Sequence, residues 1–469
     1  MATGNPPIVV QIDDPEWRKR CEAVCEAVRA AGGRALLVGG CVRDSALGLP
    51  AIDLDIEVYG IPPARLTQLL SGRFAVDLVG RAFQVIKIRG APIDVSIPRS
   101  SSRGDTGAEG FETLSDPDLT PAEAAGRRDF TINAIGFDPL TGEVIDPFRG
   151  LDDLAARILR HTSEKFAEDP LRVLRGMQLA ARFDLDVAAE TVALCREIEL
   201  GSVARERVFE EWKKLVLRGL RPSRGLGLLR ACGWIRYFPE LETLIGCKQD
   251  PEWHPEGDVW VHTLHCMDSF ATERSGEERE DLIVGLAVLC HDLGKPATTS
   301  QVEGGRITTR RHEPAGEAAT RSFLGRMANE RPLIDAVVTL VGAHLAPLQL
   351  FQARAGDAAV RRLARRVGRI DRVVRVARAD RAGRPPLEIE RFEAGDWLLE
   401  RARALDVEAA APERIVKGRH LIQLGLSPGP ELGSMLEILY AAQLEGEFST
   451  LEGGLEYVRR RWEVGPEPR

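Results

Sequence analysis

The sequence has no CxxC pair and no cysteine spacing typical of a disulfide framework, although it contains eight cysteines. Scattered thiols of this kind are typical of a reducing cytosol, so we expect a cytoplasmic protein. Long apolar runs are also missing, and the longest, Leu282–Cys290, is far too short to cross a bilayer. The first 20 residues lack an apolar run as well, so we expect neither a signal peptide nor a membrane partner.

An excess of positive charge is absent too, because the net charge is −8 over 469 residues. Any contact with nucleic acid must therefore come from local basic surface. The chain is long enough for three or four domains, and a hydrophobic fraction of 44% is enough to build their cores. The sequence contains no repeat of fixed period.

Strand-like segments almost vanish after about residue 150. Before it, the apolar patterns predict a helix and four short strands, at 16–31, 35–38, 53–59, 83–89 and 92–97. Residues 99–120 are rich in Ser, Gly, Asp and Thr and predict a long loop, which in a compact domain is often a functional lid. After 150 the chain is predicted to form amphipathic helices, with a Gly/Pro-rich break near 381–386.

These patterns predict an α+β chain, with a mixed α/β head followed by an elongated all-α body. We expect four domains, namely a head, a helical neck and body, a second metal-binding domain and a helical tail, over residues 1–150, 151–250, 251–385 and 386–469.

Two acidic residues in the head suggest a metal site. Asp53 and Asp55 lie one residue apart in a predicted strand, so both point to one face while Leu54 and Ile56 point into a core. Two such carboxylates repel each other unless a cation lies between them, and Mg²⁺ prefers carboxylate oxygen. Asp94, on a later strand, is a candidate third carboxylate, with a plain exposed strand residue as the alternative. The pattern predicts phosphoryl or nucleotidyl transfer.

A glycine turn precedes these acids. Gly39 and Gly40 end a predicted strand and begin a helix that contains Arg43. Glycines let the backbone approach a triphosphate closely, and Arg43 offers a charge-assisted hydrogen bond to phosphate. Further along, Arg127 and Arg128 suit a triphosphate or sugar clamp, although a helix start capped by Asp129 is an equally simple interpretation.

A third segment suggests base recognition. Asp169 precedes Pro170, a favoured first helical residue, and Arg172 and Arg175 follow one and two turns along. A carboxylate can accept a hydrogen bond from an exocyclic amino group, while the guanidinium beside it donates one to a ring nitrogen, a pattern that cytosine and adenine share. Uracil and guanine would place a carbonyl opposite the carboxylate and be rejected. A salt-bridged helix start is the structural alternative.

Taken in order, these segments resemble the class II family of tRNA nucleotidyltransferases (CCA-adding enzymes) and bacterial poly(A) polymerases. The resemblance covers about residues 35–240, with a weaker match at Glu206–Glu211. It is carried by Leu37–Asp44, Asp53–Asp55, Arg127–Ala134, Asp146–Leu154 and Glu168–Arg175.

The resemblance implies a nucleotidyltransferase-fold head that joins nucleotides to an RNA 3′ end without a template. It implies that Asp53 and Asp55 are the catalytic Mg²⁺ ligands and that residues 151–250 bind nucleotide and RNA. The nucleotide-binding residues it implies are Gly39, Gly40, Arg43, Arg128, Asp169, Arg172 and Arg175. ATP and CTP are the expected substrates, and tRNA or another RNA 3′ end is the expected partner.

The histidines suggest a second metal site. His262, His291 and His312 fall in one 51-residue window, and His344 lies beyond it. The adjacent His291 and Asp292 follow the apolar run 282–290. Histidine and aspartate on facing helices can hold a divalent cation with positions open for phosphate, whereas a single buried histidine is usually a core residue.

Here the sequence resembles the HD-domain phosphohydrolases. Its four-ligand order is matched by His262, His291, Asp292 and Asp380. His312 and His344 lie where some members bind a second metal. The resemblance implies a divalent transition metal and phosphatase or phosphodiesterase activity. We also expect His265 to support His262 from the same helix, and no catalytic role for His161, His254 and His420.

Two further stretches are candidates for RNA contact. The basic run 361–381 could follow a phosphate backbone, although a solvated helix face paired with acids is at least as good an interpretation. Residues 417–460 resemble the tail that contacts tRNA in some family members.

The leading prediction is CCA addition to tRNA, with a poly(A) polymerase or an A-only adding enzyme as alternatives that share the same residues. An HD phosphohydrolase with a vestigial head is an alternative of another class, and a non-catalytic RNA-binding module is a weaker one.

Overall fold

The computed structural model describes residues 10–79, 85–102, 112–302, 304–387 and 391–463. They divide into two compact units, one ending at Ser202 and one beginning at Val203. The division into four domains remains a prediction.

The first unit is built on a seven-stranded sheet of order β3-β4-β5-β2-β1-β8-β9. The strands of this unit, including a separate β6-β7 hairpin, are β1 (Arg34–Val38), β2 (Leu54–Tyr59), β3 (Val76–Val79), β4 (Val85–Ile88), β5 (Ile93–Ser96), β6 (Arg99–Ser102), β7 (Glu112–Ser115), β8 (Gly136–Phe137) and β9 (Val144–Ile145). A short parallel pair, β10 (Ile158–Leu159) and β11 (Asp186–Val187), completes the unit.

Helices cover this sheet and continue beyond it. They are α1 (Pro15–Ala30), α2 (Gly40–Ala46), α3 (Pro63–Ser71), α4 (Pro121–Ala125), α5 (Gly150–Ala155), α6 (Leu171–Phe183) and α7 (Ala189–Glu197), with 3₁₀ turns at Thr131–Asn133 and Glu164–Glu168. Local chemistry sets the ends of several of them. Asp14 accepts from the backbone N–H groups of Glu16 and Trp17 to begin α1, and Thr120 and Glu123 form a capping box on α4.

The predicted strands are largely confirmed, with two corrections. β2 begins at Leu54, so Asp53 lies just before it, and Phe83 lies outside the described residues. The predicted loop at 99–120 is wrong at its flanks, because β6 and β7 pair there as an antiparallel hairpin. Backbone pairing needs no apolar anchors, so the Ser- and Thr-rich composition concealed these strands. Residues 103–111 lie outside the described part of the chain.

The second unit is almost entirely helical, as the sequence predicts. Its helices are α8 (Arg205–Arg218), α9 (Pro222–Ala231), α10 (Pro239–Glu242), α11 (Val259–Thr272), α12 (Glu278–Cys290), α13 (Lys295–Thr298), α14 (His312–Gly325), α15 (Arg331–Val341), α16 (Ala346–Gln352), α17 (Asp357–Val367), α18 (Ile370–Ala382), α19 (Glu393–Ala404), α20 (Gly418–Gln423), α21 (Pro430–Glu445) and α22 (Leu451–Trp462). A 3₁₀ turn at Trp234–Tyr237 and a small hairpin of β12 (Ser300–Gln301) and β13 (Ile307–Thr308) complete it.

Helix α12 is the core of this unit. Every residue from Leu282 to Cys290 is buried, and the helix packs against α8, α11, α15 and α18. A helix that is apolar on all sides is stable in water only when it is enclosed in this way. Its C-terminal end therefore carries His291 and Asp292 into the interior of the unit.

Among the described residues, one segment, Arg331–Gln352, is long and apolar enough to span a membrane by length and composition. More than half of it is buried inside the protein, as a core helix would be, and α15 and α16 divide it into two helices. This is weak evidence for a membrane span.

Candidate active site and metal centre

Asp53 and Asp55 are both solvent-exposed, whereas Leu54 and Ile56 are buried in the core of the head. Although the Asp55 carboxylate reaches solvent, the surrounding protein desolvates it in part, and this raises its pKa. The neighbouring charges of Asp94 and Asp53 raise the pKa further. Arg128 opposes part of this shift, and the cluster of carboxylates at Asp55, Asp53 and Asp94 is one that a bound cation would stabilise.

The glycine turn lies against the same acids. Gly39 has φ of 77°, in the left-handed region that favours glycine. A Cβ atom added there would lie 3.1 Å from Nη1 of Arg128 and 3.7 Å from Oδ2 of Asp55. Arg128 is in turn held by Glu57, with 3.3 Å between Nη2 and Oε1. The structure therefore brings together Gly39, Arg128 and Asp55, which lie far apart in sequence.

Asp94 is placed next to Asp55 by the sheet. The two residues are directly paired between the parallel strands β2 and β5. The Asp94 carboxylate, however, forms an ion pair with Lys87, whose Nζ lies 2.6 Å from Oδ2. A role for Asp94 as a third metal ligand stays a prediction, and it would require this ion pair to open.

Arg43 occupies a different environment from the one predicted. Its side chain is buried, and it donates to Oδ1 of Asp44 at 2.6 Å and to Oδ1 of Asn133 at 2.5 Å. The guanidinium also lies over the ring of Phe183, 4.4 Å from its centroid. It lies beneath the glycine turn, 3.5 Å from a Cβ atom that would be added at Gly40. A phosphate contact by Arg43 stays a prediction that requires these bonds to be exchanged.

A buried aspartate connects this arginine to helix α6. Asp129 accepts from Nδ2 of Asn133 at 3.0 Å and from Nε of Arg175 at 2.7 Å. Burial by itself would raise the pKa of Asp129, but Arg175 and Asn133 hold it below the usual value. The sequence suggested Asp129 only as a helix cap, and here it links three segments of the head unit.

We predict that Asp129→Asn lowers the free energy of unfolding by roughly 1.5–3 kcal/mol at pH 7, because it removes the charge from a buried carboxylate that is hydrogen-bonded to the partly exposed Arg175. The pKa of Asp129 is depressed in the folded state, so its stabilisation is complete above the unfolded pKa of 3.8 and is lost as the pH falls through the folded value. The difference between wild type and variant should therefore shrink below about pH 4.

Urea unfolding at several pH values measures this difference. Asp152→Asn is the matched control, because Asp152 forms an exposed ion pair with Arg149 and should change stability by less than about 0.5 kcal/mol. A stability difference that is independent of pH would contradict the prediction.

Asp169 and Arg172 lie at the start of α6. Asp169 Oδ1 accepts from the backbone N–H of Leu171 at 3.0 Å, and Arg172 donates to the backbone oxygens of Lys165 and Arg127 at 2.8 and 2.7 Å. These bonds hold both side chains at the N-terminal end of α6. Base recognition by the pair stays a prediction.

In the second unit, the predicted metal ligands come together in its buried interior. Nε2 of His262 lies 3.1 Å from Oδ1 of Asp380 and 3.4 Å from Nε2 of His291. Nε2 of His312 lies 3.2 Å from Nε2 of His344. All of these side chains are almost completely buried. Helices α11, α14 and α18, together with the residues that follow α12 and α15, supply them.

The histidines are oriented as metal ligands usually are. Nδ1 of His291, His312 and His344 contacts the backbone oxygen three residues earlier, at 2.7, 2.9 and 2.7 Å. If each Nδ1 carries the proton and donates it there, each Nε2 lone pair is directed into the cluster. His262 makes the equivalent contact to Gly383 O at 3.1 Å, with Glu256 Oε1 at 2.8 Å.

Asp292 lies between the two histidine pairs. Its Oδ2 is 3.2 Å from Nε2 of His291, and its Oδ1 is 3.5 Å from Nε2 of His312. Neither oxygen makes a well-oriented hydrogen bond within the described chain, although Nζ of Lys295 lies 2.7 Å from Oδ2. Burial alone would raise the pKa of Asp292, but His291 and Lys295 hold it well below its usual value. Lys295 offsets part of this buried charge, and the imidazole nitrogens and carboxylate oxygens around it are donors that fit a divalent metal.

The structure adds residues that sequence reasoning missed. Cys266 Sγ lies 3.3 Å from Nε2 of His262, one helical turn along α11, whereas the predicted supporting residue His265 is exposed. The i,i+4 spacing of His262 and Cys266 was the available signal. His254, expected to have no role, contacts Glu256 at 2.8 Å, and Glu256 in turn contacts His262.

The basic run 361–381 is mostly paired with acids. Arg372 contacts Glu280, Arg375 contacts Asp281, and Arg365 contacts Glu437. These contacts favour the interpretation as a solvated, acid-paired helix face over a phosphate-binding surface.

Comparison with known proteins identifies relatives of this chain. The profile of the poly A polymerase head domain family matches residues 35–160, and that of a probable RNA and SrmB-binding site of polymerase A matches residues 184–245. The chain is 36% identical over 316 residues to the multifunctional CCA protein of Laribacter hongkongensis, covering 66% of this chain and 74% of that protein. It is 38% identical over 317 residues to that of Xanthomonas campestris, with the same coverage of each chain.

The fold is also that of solved CCA-adding enzymes. The Bacillus stearothermophilus enzyme in complex with CTP aligns with a TM-score of 0.64 and 23% identity, over 96% of this chain and 99% of that one. The Thermotoga maritima enzyme complexed with tRNA aligns with a TM-score of 0.57 and 20% identity, over 95% and 96% of the chains. These structures share the fold, and the relatives above, at 36% and 38% identity over 74% of their length, show the family: the chain belongs to the class II tRNA nucleotidyltransferases, the CCA-adding enzymes.

Proposed function

We propose that this protein adds C, C and A from CTP and ATP to the 3′ end of tRNA without a template. The observation that carries the proposal is the convergence of Asp55, Arg128 and the Gly39 turn, with the carboxylates of Asp53 and Asp94 close by. The names of its relatives, and the CTP and tRNA bound by structures of the same fold, support the same activity.

The proposed chemistry assigns a separate task to each residue. Asp53 and Asp55 would hold Mg²⁺, which when bound supplies activation of the RNA 3′-hydroxyl and stabilisation of the leaving pyrophosphate. Arg128 neutralises charge on the phosphates, and Gly39 and Gly40 let the backbone approach them. Glu57 holds Arg128 in place.

Base selection is assigned to Asp169 and Arg172. Both cytosine and adenine satisfy the pair, so an A-only adding enzyme or a poly(A) polymerase would use the same residues. The three reactions are therefore distinguished by the number and the order of the nucleotides that are added.

A tRNA that lacks its last three nucleotides tests the proposal directly. With labelled CTP alone we expect two additions, with both nucleotides we expect one A after them, and with UTP or GTP we expect at least about 10²-fold less incorporation. Addition of A alone, or of repeated A, would replace CCA addition with one of the two alternatives.

We propose a second activity for the histidine cluster, the metal-dependent hydrolysis of phosphoesters. Asp292, which lies between two histidine pairs with no well-oriented hydrogen bond among the described residues, favours it. His262, His291 and Asp380 complete the donor set that would hold a divalent transition metal, which when bound supplies an activated water.

The cytoplasm is the proposed compartment, because all eight cysteines are free thiols.

A further inference from the structure

A cavity of about 730 Å³ lies beside the histidine cluster, between the segment 306–314 and the residues 342–349. His312 belongs to the wall of this cavity, and its Nε2 faces His344 and Asp292 on the cluster side. One side chain is therefore shared between the cavity and the buried donor set. The volume is within the usual range for pockets that bind small molecules.

Positive charge dominates the wall of this cavity. Among the described residues, four arginines line it, Arg306, Arg310, Arg311 and Arg366, against one acid, Glu313. Two of the four have partners: Arg366 donates to Gly342 O at 2.7 Å and to Glu317 at 3.1 Å, and Arg306 lies 3.9 Å from Asp250.

The remaining two arginines carry uncompensated charge. Arg310 and Arg311 are exposed, and neither forms an ion pair or side-chain hydrogen bond with another described residue. Arg311 also has φ of 61° and ψ of 32°, a left-handed conformation that is uncommon for a side chain of this size. It is held in this conformation immediately before His312, at the first turn of α14.

We infer that this cavity is the binding pocket for a terminal phosphate group, with Arg310 and Arg311 as its anion contacts. Guanidinium groups bind phosphate with paired, charge-assisted hydrogen bonds, and the cavity has room for the rest of a mononucleotide. The inference rests on the proposed hydrolytic site, because it assigns that site a substrate class, phosphate monoesters. A mononucleotide and the 3′-phosphate of an RNA present the same chemistry.

The test uses the full-length protein and the variant Arg310→Gln/Arg311→Gln. Calorimetry with inorganic phosphate should show affinity weakened about tenfold or more, since a hydrogen bond to a charged group contributes roughly one factor of ten. The variant Arg354→Gln is the control, because Arg354 is also exposed and also has positive φ, at 49°. It should bind phosphate as wild type does, and metal content should be equal in all three proteins.

A second experiment measures the hydrolysis of two substrates, a 3′-mononucleotide and a short RNA with a 3′-phosphate. The double variant should raise KM about tenfold with kcat within about twofold, and the substrate with the higher kcat/KM identifies the source of the phosphate. Unchanged phosphate affinity in the double variant would overturn the inference. Weakened phosphate binding without turnover in wild type would support the pocket and contradict the proposed hydrolase.

Discussion

Asp53→Asn/Asp55→Asn should reduce nucleotide incorporation by at least about 10³-fold, since even one group that stabilises transition-state charge contributes about 10²–10³-fold. The two carboxylates are the proposed ligands of the catalytic metal, and both are exposed, Asp55 on β2 and Asp53 just before it. Incorporation of labelled CTP into truncated tRNA measures the effect.

The same variant should fold as well as wild type. Burial, Asp94 and Asp53 together raise the pKa of Asp55 despite the opposing charge of Arg128, so the fold disfavours the charged form of Asp55 and a neutral Asn should destabilise it little. We therefore expect the free energy of unfolding to change by less than about 0.5 kcal/mol, or to rise slightly.

Asp77→Asn provides the matched control for the loss of a carboxylate. Asp77 lies exposed on β3 of the same sheet and forms a surface ion pair with Arg89. Its replacement should leave incorporation unchanged. Substantial incorporation by the double variant would show that the reaction does not depend on these two acids.

The face of a strand is readily predicted from sequence, and the exposure expected of Asp53 and Asp55 is confirmed, whereas their role as metal ligands stays a prediction. Side chains alternate between the two faces of β2, so the buried positions of Leu54 and Ile56 place Asp55 on the other face. The burial of helix α12 is predictable in the same way, because a continuous apolar helix is stable in water only when it is enclosed.

Partners across long sequence distances are not predictable in this way. Arg43 offered a guanidinium of suitable chemistry, but its burial depends on Asn133 and Phe183, which the fold brings to it from later segments. Asp129 is similar, since its ion pair with Arg175 is formed only when α6 packs beside it. Sequence spacing predicts local geometry, whereas these contacts depend on tertiary packing.

The histidine cluster lies between these extremes. The residue types and their order predicted His262, His291, Asp292 and Asp380, but not the shared position of Asp292 between two histidine pairs. That position results from the end of α12 meeting α14 in the interior. This shared position of Asp292 is the main reason to predict a metal site in this unit.

His291→Ala should remove most of the bound divalent metal and reduce phosphoester hydrolysis by at least about 10²-fold. His291 supplies an Nε2 that lies 3.2 Å from Asp292 and 3.4 Å from Nε2 of His262, so its loss opens the donor set. Metal content by mass spectrometry and release of phosphate are the measurements. Asp292→Asn, which keeps the side-chain shape, should give the same losses if the charge of Asp292 attracts the metal.

His265→Ala is the matched control, because His265 lies on α11 close to His262 but is exposed to solvent. It should retain the metal and the hydrolytic activity. Nucleotide incorporation should persist in all three variants, since Asp53 and Asp55 belong to the other compact unit. Equal metal content in wild type and His291→Ala would mean that the cluster is a hydrogen-bonded core and no metal centre. If wild type instead binds metal but does not hydrolyse phosphoesters, the metal has a structural role. Loss of that metal in His291→Ala should then lower the unfolding temperature.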